Sequence, residues 1–183
     1  GEGLHVWLED EIASPELLEG LRRSAETFER EILPTNRRLF GLERDPALAP
    51  CPLTILNAYV PGAGGYFASS HLRSREINPY SSERPMFVVS LSSRQPGTDD
   101  YESALAHELQ HMIHYHLDPN EEAWVNEGLS NLAEGFNGYP NGYAAARFAA
   151  QPNIALLSWG LDPDQIHAHY GGPELLARYL AQR

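Results

Sequence analysis

The chain has 183 residues, 42% of them hydrophobic and 21% charged, with a net charge of −12. That is enough material for one domain with a real core, and a surface this acidic argues against nucleic acid or anionic membrane as a partner. A single cysteine, Cys51, excludes an internal disulfide and reads as an inert packed thiol, and no apolar run approaches the length needed to span a membrane.

The first residue is Gly rather than Met, which is what removal of a leader would leave. Residues 4–8 read as a short strand that ends in the acids from Glu9 to Glu11. Ser14 and Pro15 open a helix whose Leu18, Leu21, Ala25, Phe28 and Ile32 mark a core-facing stripe, with Pro34 as its stop and a short turn from Asn36 to Phe40 beyond. Pro46, Pro50 and Pro52 predict an extended connection into residues 53–59, a strand apolar enough to be central. Strand, helix and strand in succession imply a parallel pair with a right-handed crossover.

Residues 61–65, Pro-Gly-Ala-Gly-Gly, lack the Lys-Ser/Thr pair of a phosphate loop and read as a turn. Residues 66–72 predict a short exposed edge strand, whose free amides and carbonyls suit an extended peptide. Residues 73–84 read as a loop and 86–91 as a strand that hands the chain to the next helix.

That helix covers residues 98–117, where no Gly or Pro intervenes, with Asp99 as cap and Glu102 as its reciprocal acid. On a wheel, Leu105, Leu109, Met112 and Ile113 gather on one side and His107, His111 and His114 on the other. His107-Glu108-Leu109-Gln110-His111 is an H-E-x-x-H pattern. It places two imidazoles one turn apart, able to share a zinc ion, with Glu108 beside it to take a proton from a zinc-activated water. His114 lies about 10.5 Å along the axis from His107, too far for a third bond of about 2.1 Å to the same ion.

Catalytic zinc usually takes a third protein ligand. Glu127 is the candidate, in Trp124-Val125-Asn126-Glu127-Gly128-Leu129-Ser130, on a second helix opened by Asp118 as cap with Pro119 and Glu121 following. Val125, Leu129, Leu132 and Phe136 form a stripe to bury, while Glu127, Asn131 and Glu134 point elsewhere. Two short-linked helices pack side by side, so Glu127 can face the histidine pair. Glu122 and Glu134 stay open as substitutes. Asn131, one turn beyond Glu127, is either a surface residue or a hydrogen-bond partner that fixes a ligand imidazole.

Gly135, Gly138, Pro140 and Gly142 end this regularity, residues 143–150 predict a brief helix, and residues 155–159 pack somewhere apolar. Pro173 is expected to start the last helix, with Leu175, Leu176, Tyr179 and Leu180 facing inward. In the loop expected before it, Tyr170 is the first candidate and His169 the second for a donor that shares the charge of a tetrahedral oxyanion. Asp99, Asp100, Asp162 and Asp164 read as caps rather than calcium ligands, so calcium has no supported site.

H-E-L-Q-H followed by W-V-N-E-G-L-S resembles the gluzincin metallopeptidases, and more narrowly the hyicolysin family of secreted zinc peptidases. The likeness extends over segments 6–10, 34–37, 64–67, 107–114, 124–130 and 169–171. It implies one catalytic domain over 1–183 with an α+β, zincin-like fold: an upper lobe, 1–117, with a small mixed sheet and the active-site helix, and a mostly helical lower lobe, 118–183. It further implies one catalytic zinc on His107, His111 and Glu127, Glu108 as general base, a protein or peptide substrate, and secretion. Fifteen residues separate His111 from Glu127, fewer than in the best-known gluzincins. The alternative is a catalytically silent, zinc-stabilised binding module, and the intact Glu108 favours the enzyme.

Overall fold

The computed structural model describes residues 3–43, 51–157, 159 and 163–183; the expectations at Pro46, Pro50 and Asp162 lie outside them. The described residues form a mixed α+β structure with a small four-stranded sheet in the order β1-β2-β4-β3. Its strands are β1 (His5–Leu8), β2 (Thr54–Ala58), β3 (Gly65–Phe67) and β4 (Met86–Ser90). β1, β2 and β4 run parallel and β3 lies antiparallel to β4 at one edge. β4 is buried at every position, as the continuous apolar run of an inner parallel strand requires. The expected edge strand is therefore present but short, and Ser69–Leu72 instead forms a 3₁₀ turn.

Ser14 caps α1 (Pro15–Thr27) by accepting the Leu17 amide at 3.2 Å, with Pro15 in the first turn where its missing N–H is harmless. Leu21, Phe28 and Ile32 are fully buried, but Leu18 is 51% exposed. The stripe is rotated towards Leu17 and Ser24, because α1 presses its Gly20 and Ser24 face onto the turn at Pro96 and Gly97, where Ser24 Oγ accepts the Gly97 amide at 2.8 Å. Pro34 does not stop the helix. A π-helical stretch, Phe28–Ile32, precedes α2 (Leu33–Phe40), and the Leu33 amide reaches back five residues to Phe28. This wider turn puts Pro34 at the start of a new helix, where no amide is needed.

α3 (Asp99–Leu117) runs beneath the sheet and packs Leu105, Leu109, Met112 and Ile113 against Phe28, Ile32, Ile55, Phe87 and Val89. Its cap is Thr98, not Asp99. The Thr98 hydroxyl accepts the Tyr101 amide at 3.4 Å, and Asp99, Asp100 and Glu102 occupy the first turn, where the helix dipole favours acids. Buried Asn36 clasps three helices: it donates to the Ala106 carbonyl at 2.9 Å and accepts from Asn137 at 2.7 Å.

α4 (Ala123–Phe136) begins four residues later than Pro119. Asp118 terminates α3 instead, giving its amide to the His114 carbonyl, and its carboxylate accepts the Asn120 amide at 3.1 Å in a local turn. α5 (Gly142–Ala150) and α6 (Pro163–Ala181) complete the helical part. α6 corrects the sequence reading most: Pro173 lies inside it, so His169 and Tyr170 are helical rather than in a loop. Its deeply buried positions are Ala168, His169 and Glu174, with Gly171, Gly172 and Pro173 between, whereas Leu175, Tyr179 and Leu180 are substantially exposed. Together with half-buried Val125 and Leu129 of α4, Leu176 and Leu180 line an apolar groove against α2 rather than the main core.

Close approach holds α6 together across a sequence that locally favours a break. A β-carbon on Gly171 would stand 2.0 Å from the Ala144 carbonyl oxygen, and one on Gly128 would stand 2.8 Å from Pro173 Cβ. Gly171→Ala is thus expected to cost about 1–3 kcal/mol, as over-packing of a close contact does, visible as a lowered thermal midpoint. An unchanged midpoint would show that α5 and α6 do not rest on this contact.

Candidate metal centre

The 3.6-residue period of α3 sets His107 and His111 one turn apart, with ring centroids at 4.6 Å. α4 lies alongside α3 and delivers Glu127, whose Oε2 is 3.3 Å from His107 Nε2 and 3.6 Å from His111 Nε2. The three ligand atoms lie within 4.8 Å of one another, and the group can hold a metal ion.

The remaining ring nitrogens face away and are occupied. His107 Nδ1 meets Glu134 Oε1 at 2.7 Å, and Glu134 Oε2 accepts the Ser103 hydroxyl at 2.7 Å. His111 Nδ1 donates to Asn126 Oδ1 at 2.6 Å and approaches Ser130 Oγ at 3.0 Å, while that hydroxyl donates to Gln110 at 2.6 Å. These acceptors take the Nδ1 protons, which leaves each Nε2 directed at the point Glu127 also faces and able to ligate there once deprotonated. The buried Oε2 atoms of Glu127 and Glu108 lack a hydrogen-bond partner of ordinary geometry. Two imidazole lone pairs and an orphaned carboxylate oxygen form a donor set that fits a dication.

Helix register decides which neighbours support the ligands. The pairs His111 with Asn126 and His107 with Glu134 show α4 running antiparallel to α3, so the start of one faces the end of the other. Asn131 does not reach an imidazole: its Nδ2 donates to the Tyr170 carbonyl at 3.3 Å, because its position on α4 faces α6. Asn126, which sequence reasoning missed, takes that part, and only the register identifies it. Glu134 braces His107 and does not replace Glu127, and His114, though buried, stays outside the group. Glu134→Ala is expected to weaken metal binding by about 10–100-fold, as loss of a partner behind a ligand does. Asn131→Ala is expected to leave affinity unchanged, and competition with a fluorescent chelator measures both.

Burial sets the electrostatics. It pushes Glu108 up to about 7, assisted by Glu127 and opposed by His107 and a hydrogen bond from the Phe67 backbone. Burial and the neighbouring His107 hold His111 down near 4. Burial also disfavours the His107 cation, but the close carboxylates of Glu127 and Glu134 prevail and hold the ring well above the usual range. The carboxylates around His107 therefore favour positive charge at that ring.

A cleft of about 360 Å³ opens over this group, with β3 along one side and Tyr115, Asn126 and Tyr170 among its walls. Gly65 lets β3 approach Glu108, since a β-carbon there would stand 3.0 Å from Oε1. Tyr170 reaches the cleft from α6, its phenol pushed up by burial and then by Glu127, Glu108 and Glu134, so it stays a proton donor. His169 does not. It is 2% exposed, stacks on Trp159 at 5.6 Å and borders a separate cavity beside Gln151 and Gln165. Successive residues of a helix point about 100° apart, so only one of this pair can face the metal group.

Comparison with protein-family models and with curated proteins found no match. Among the described residues, no helix is long and apolar enough to cross a membrane.

Proposed function

We propose that this protein is a secreted zinc endopeptidase of the gluzincin type, near the hyicolysin family, that hydrolyses peptide bonds in proteins or peptides. One observation carries the reading: His107 Nε2, His111 Nε2 and Glu127 Oε2 converge on one point beside a buried, unpaired Glu108 oxygen at the floor of a cleft. Two nitrogens and one carboxylate oxygen, with a position left open to the cleft, match catalytic zinc better than calcium or magnesium, which prefer all-oxygen shells. In this reading the fold is zincin-like, with residues 1–117 above the cleft and 118–183 below.

Zinc held there would polarise the scissile carbonyl and acidify a water molecule. Glu108 would take the proton of that water and return it to the leaving amine, a task suited to its buried, unpaired oxygen beside the metal-binding group. Tyr170 donates its phenolic hydrogen to the developing oxyanion. The β3 edge pairs with an extended peptide and holds it across the cleft.

Cleavage of casein, lost on chelation and restored by stoichiometric zinc, is the expected result. Zinc bound tightly by a protein that cuts no peptide would instead favour a zinc-stabilised binding module.

A further inference from the structure

We infer that Arg73 and Tyr115 form a carboxylate-recognising subsite at one end of the cleft. Peptides bearing a negative charge close to the scissile bond, from an Asp or Glu side chain or a free C-terminus, are then the preferred substrates. This rests on the peptidase reading above and adds a substrate class to it.

Tyr115 lies one turn beyond His111 on α3 and lines the cleft. Its ring packs on Phe67 of β3, with centroids 5.7 Å apart, which fixes where the hydroxyl sits. That hydroxyl accepts from Arg73 Nη2 at 3.3 Å, so its own hydrogen remains available to donate. Arg73 is exposed, and among the described residues no carboxylate lies within ion-pair distance of it. Arg73 reaches the edge of the cleft through the Tyr115 hydroxyl.

The segment carrying Arg73 is braced from behind. Ser81 Oγ lies within hydrogen-bond distance of both the His71 and Arg73 carbonyls and shares its one hydrogen between them, the Arg84 amide donates to the His71 carbonyl at 3.0 Å, and the Ser82 amide donates to His71 Nδ1 at 3.3 Å. A guanidinium on a braced segment, with most of its donors unused, and a phenolic O–H beside it together offer a carboxylate convergent donors. The acids Glu108 and Glu127 lie on the floor of the cleft, whereas Arg73 and Tyr115 bring only donors to this corner.

The test uses zinc-loaded Glu108→Gln protein and fluorescein-labelled peptides in matched sets. Within each set the peptides differ only as Glu against Gln at one position, or as free against amidated C-terminus, so the two sources of carboxylate are read separately. At least one carboxylate arm is expected to bind about tenfold more tightly than its amide partner. Arg73→Ala should abolish that ratio, Arg73→Lys should restore part of it, and Arg73→Glu should turn it towards peptides carrying Lys or Arg. Equal binding of carboxylate and amide peptides, or a ratio unchanged by Arg73→Ala, overturns the subsite. Chelator-sensitive cleavage by the wild-type protein with no carboxylate preference sinks the subsite and leaves the peptidase reading standing. A preference that persists in a protein that cuts nothing does the reverse.

Discussion

Replacing Glu108 by Gln is expected to lower kcat by about 10²–10⁴-fold, the usual contribution of a positioned general base, while bound zinc stays at the wild-type level. The expectation follows from geometry. Glu108 is 6% exposed and not among the metal-facing group, so the substitution leaves His107, His111 and Glu127 in place. Gln has the same shape, and its carbonyl can still accept the Phe67 amide hydrogen, so local packing is preserved. What it lacks is a basic oxygen. Single-turnover rates with a quenched peptide, paired with metal analysis of the same sample, separate chemistry from binding. A variant that keeps wild-type kcat would remove Glu108 from the reaction.

Removing His111 should have the larger effect on the metal. A zinc site worth on the order of 10–16 kcal/mol across its ligands loses roughly 3 kcal/mol with one of them, which is more than a 100-fold loss of affinity. His111→Ala also strands Asn126 and Ser130, which have no other imidazole to hold. Glu127→Ala is expected to behave similarly. Because Glu134 touches only the far nitrogen of His107, Glu134→Ala should cost less than either. Zinc dissociation constants from chelator competition give this order directly. Should Glu134→Ala prove more costly than Glu127→Ala, the ligand set would have to be reassigned.

Local geometry made part of the site legible in advance. Two histidines four residues apart share a helical face whatever the rest of the chain does, provided the helix forms. Short linkage of the next helix was enough to nominate Glu127. The partners behind the imidazoles were not legible, because they depend on how far α4 slides along α3. A shift of one turn would exchange Glu134 for Asn131, which is where sequence reasoning placed the partner. His169 was nominated because the residues before Pro173 read as a loop and because the His-Tyr-Gly segment resembles similar proteins; a loop can present either of two adjacent side chains, whereas a helix presents one.

Breaks and caps divided along similar lines. Ser14 with Pro15 marks a helix start that is settled within one turn of chain. Pro34 reads as the end of one helix and Pro173 as the start of another, and both readings are overridden, one by a π-helical turn and the other by glycine-mediated contact of α6 with its neighbours.

The sequence alone determined the elements whose causes are short-ranged: the apolar parallel strands, the amphipathic α3, the paired imidazoles and the acid beside them. Tertiary structure decided which distant groups meet them, namely Glu127 at the metal-facing nitrogens, Glu134 and Asn126 behind the rings, Tyr170 rather than His169 over the cleft, and the continuity of α6. The division has one physical reason. Backbone periodicity and capping act within a turn or two, whereas helix register and close packing come from contacts among residues far apart in the chain, where no local pattern records the outcome.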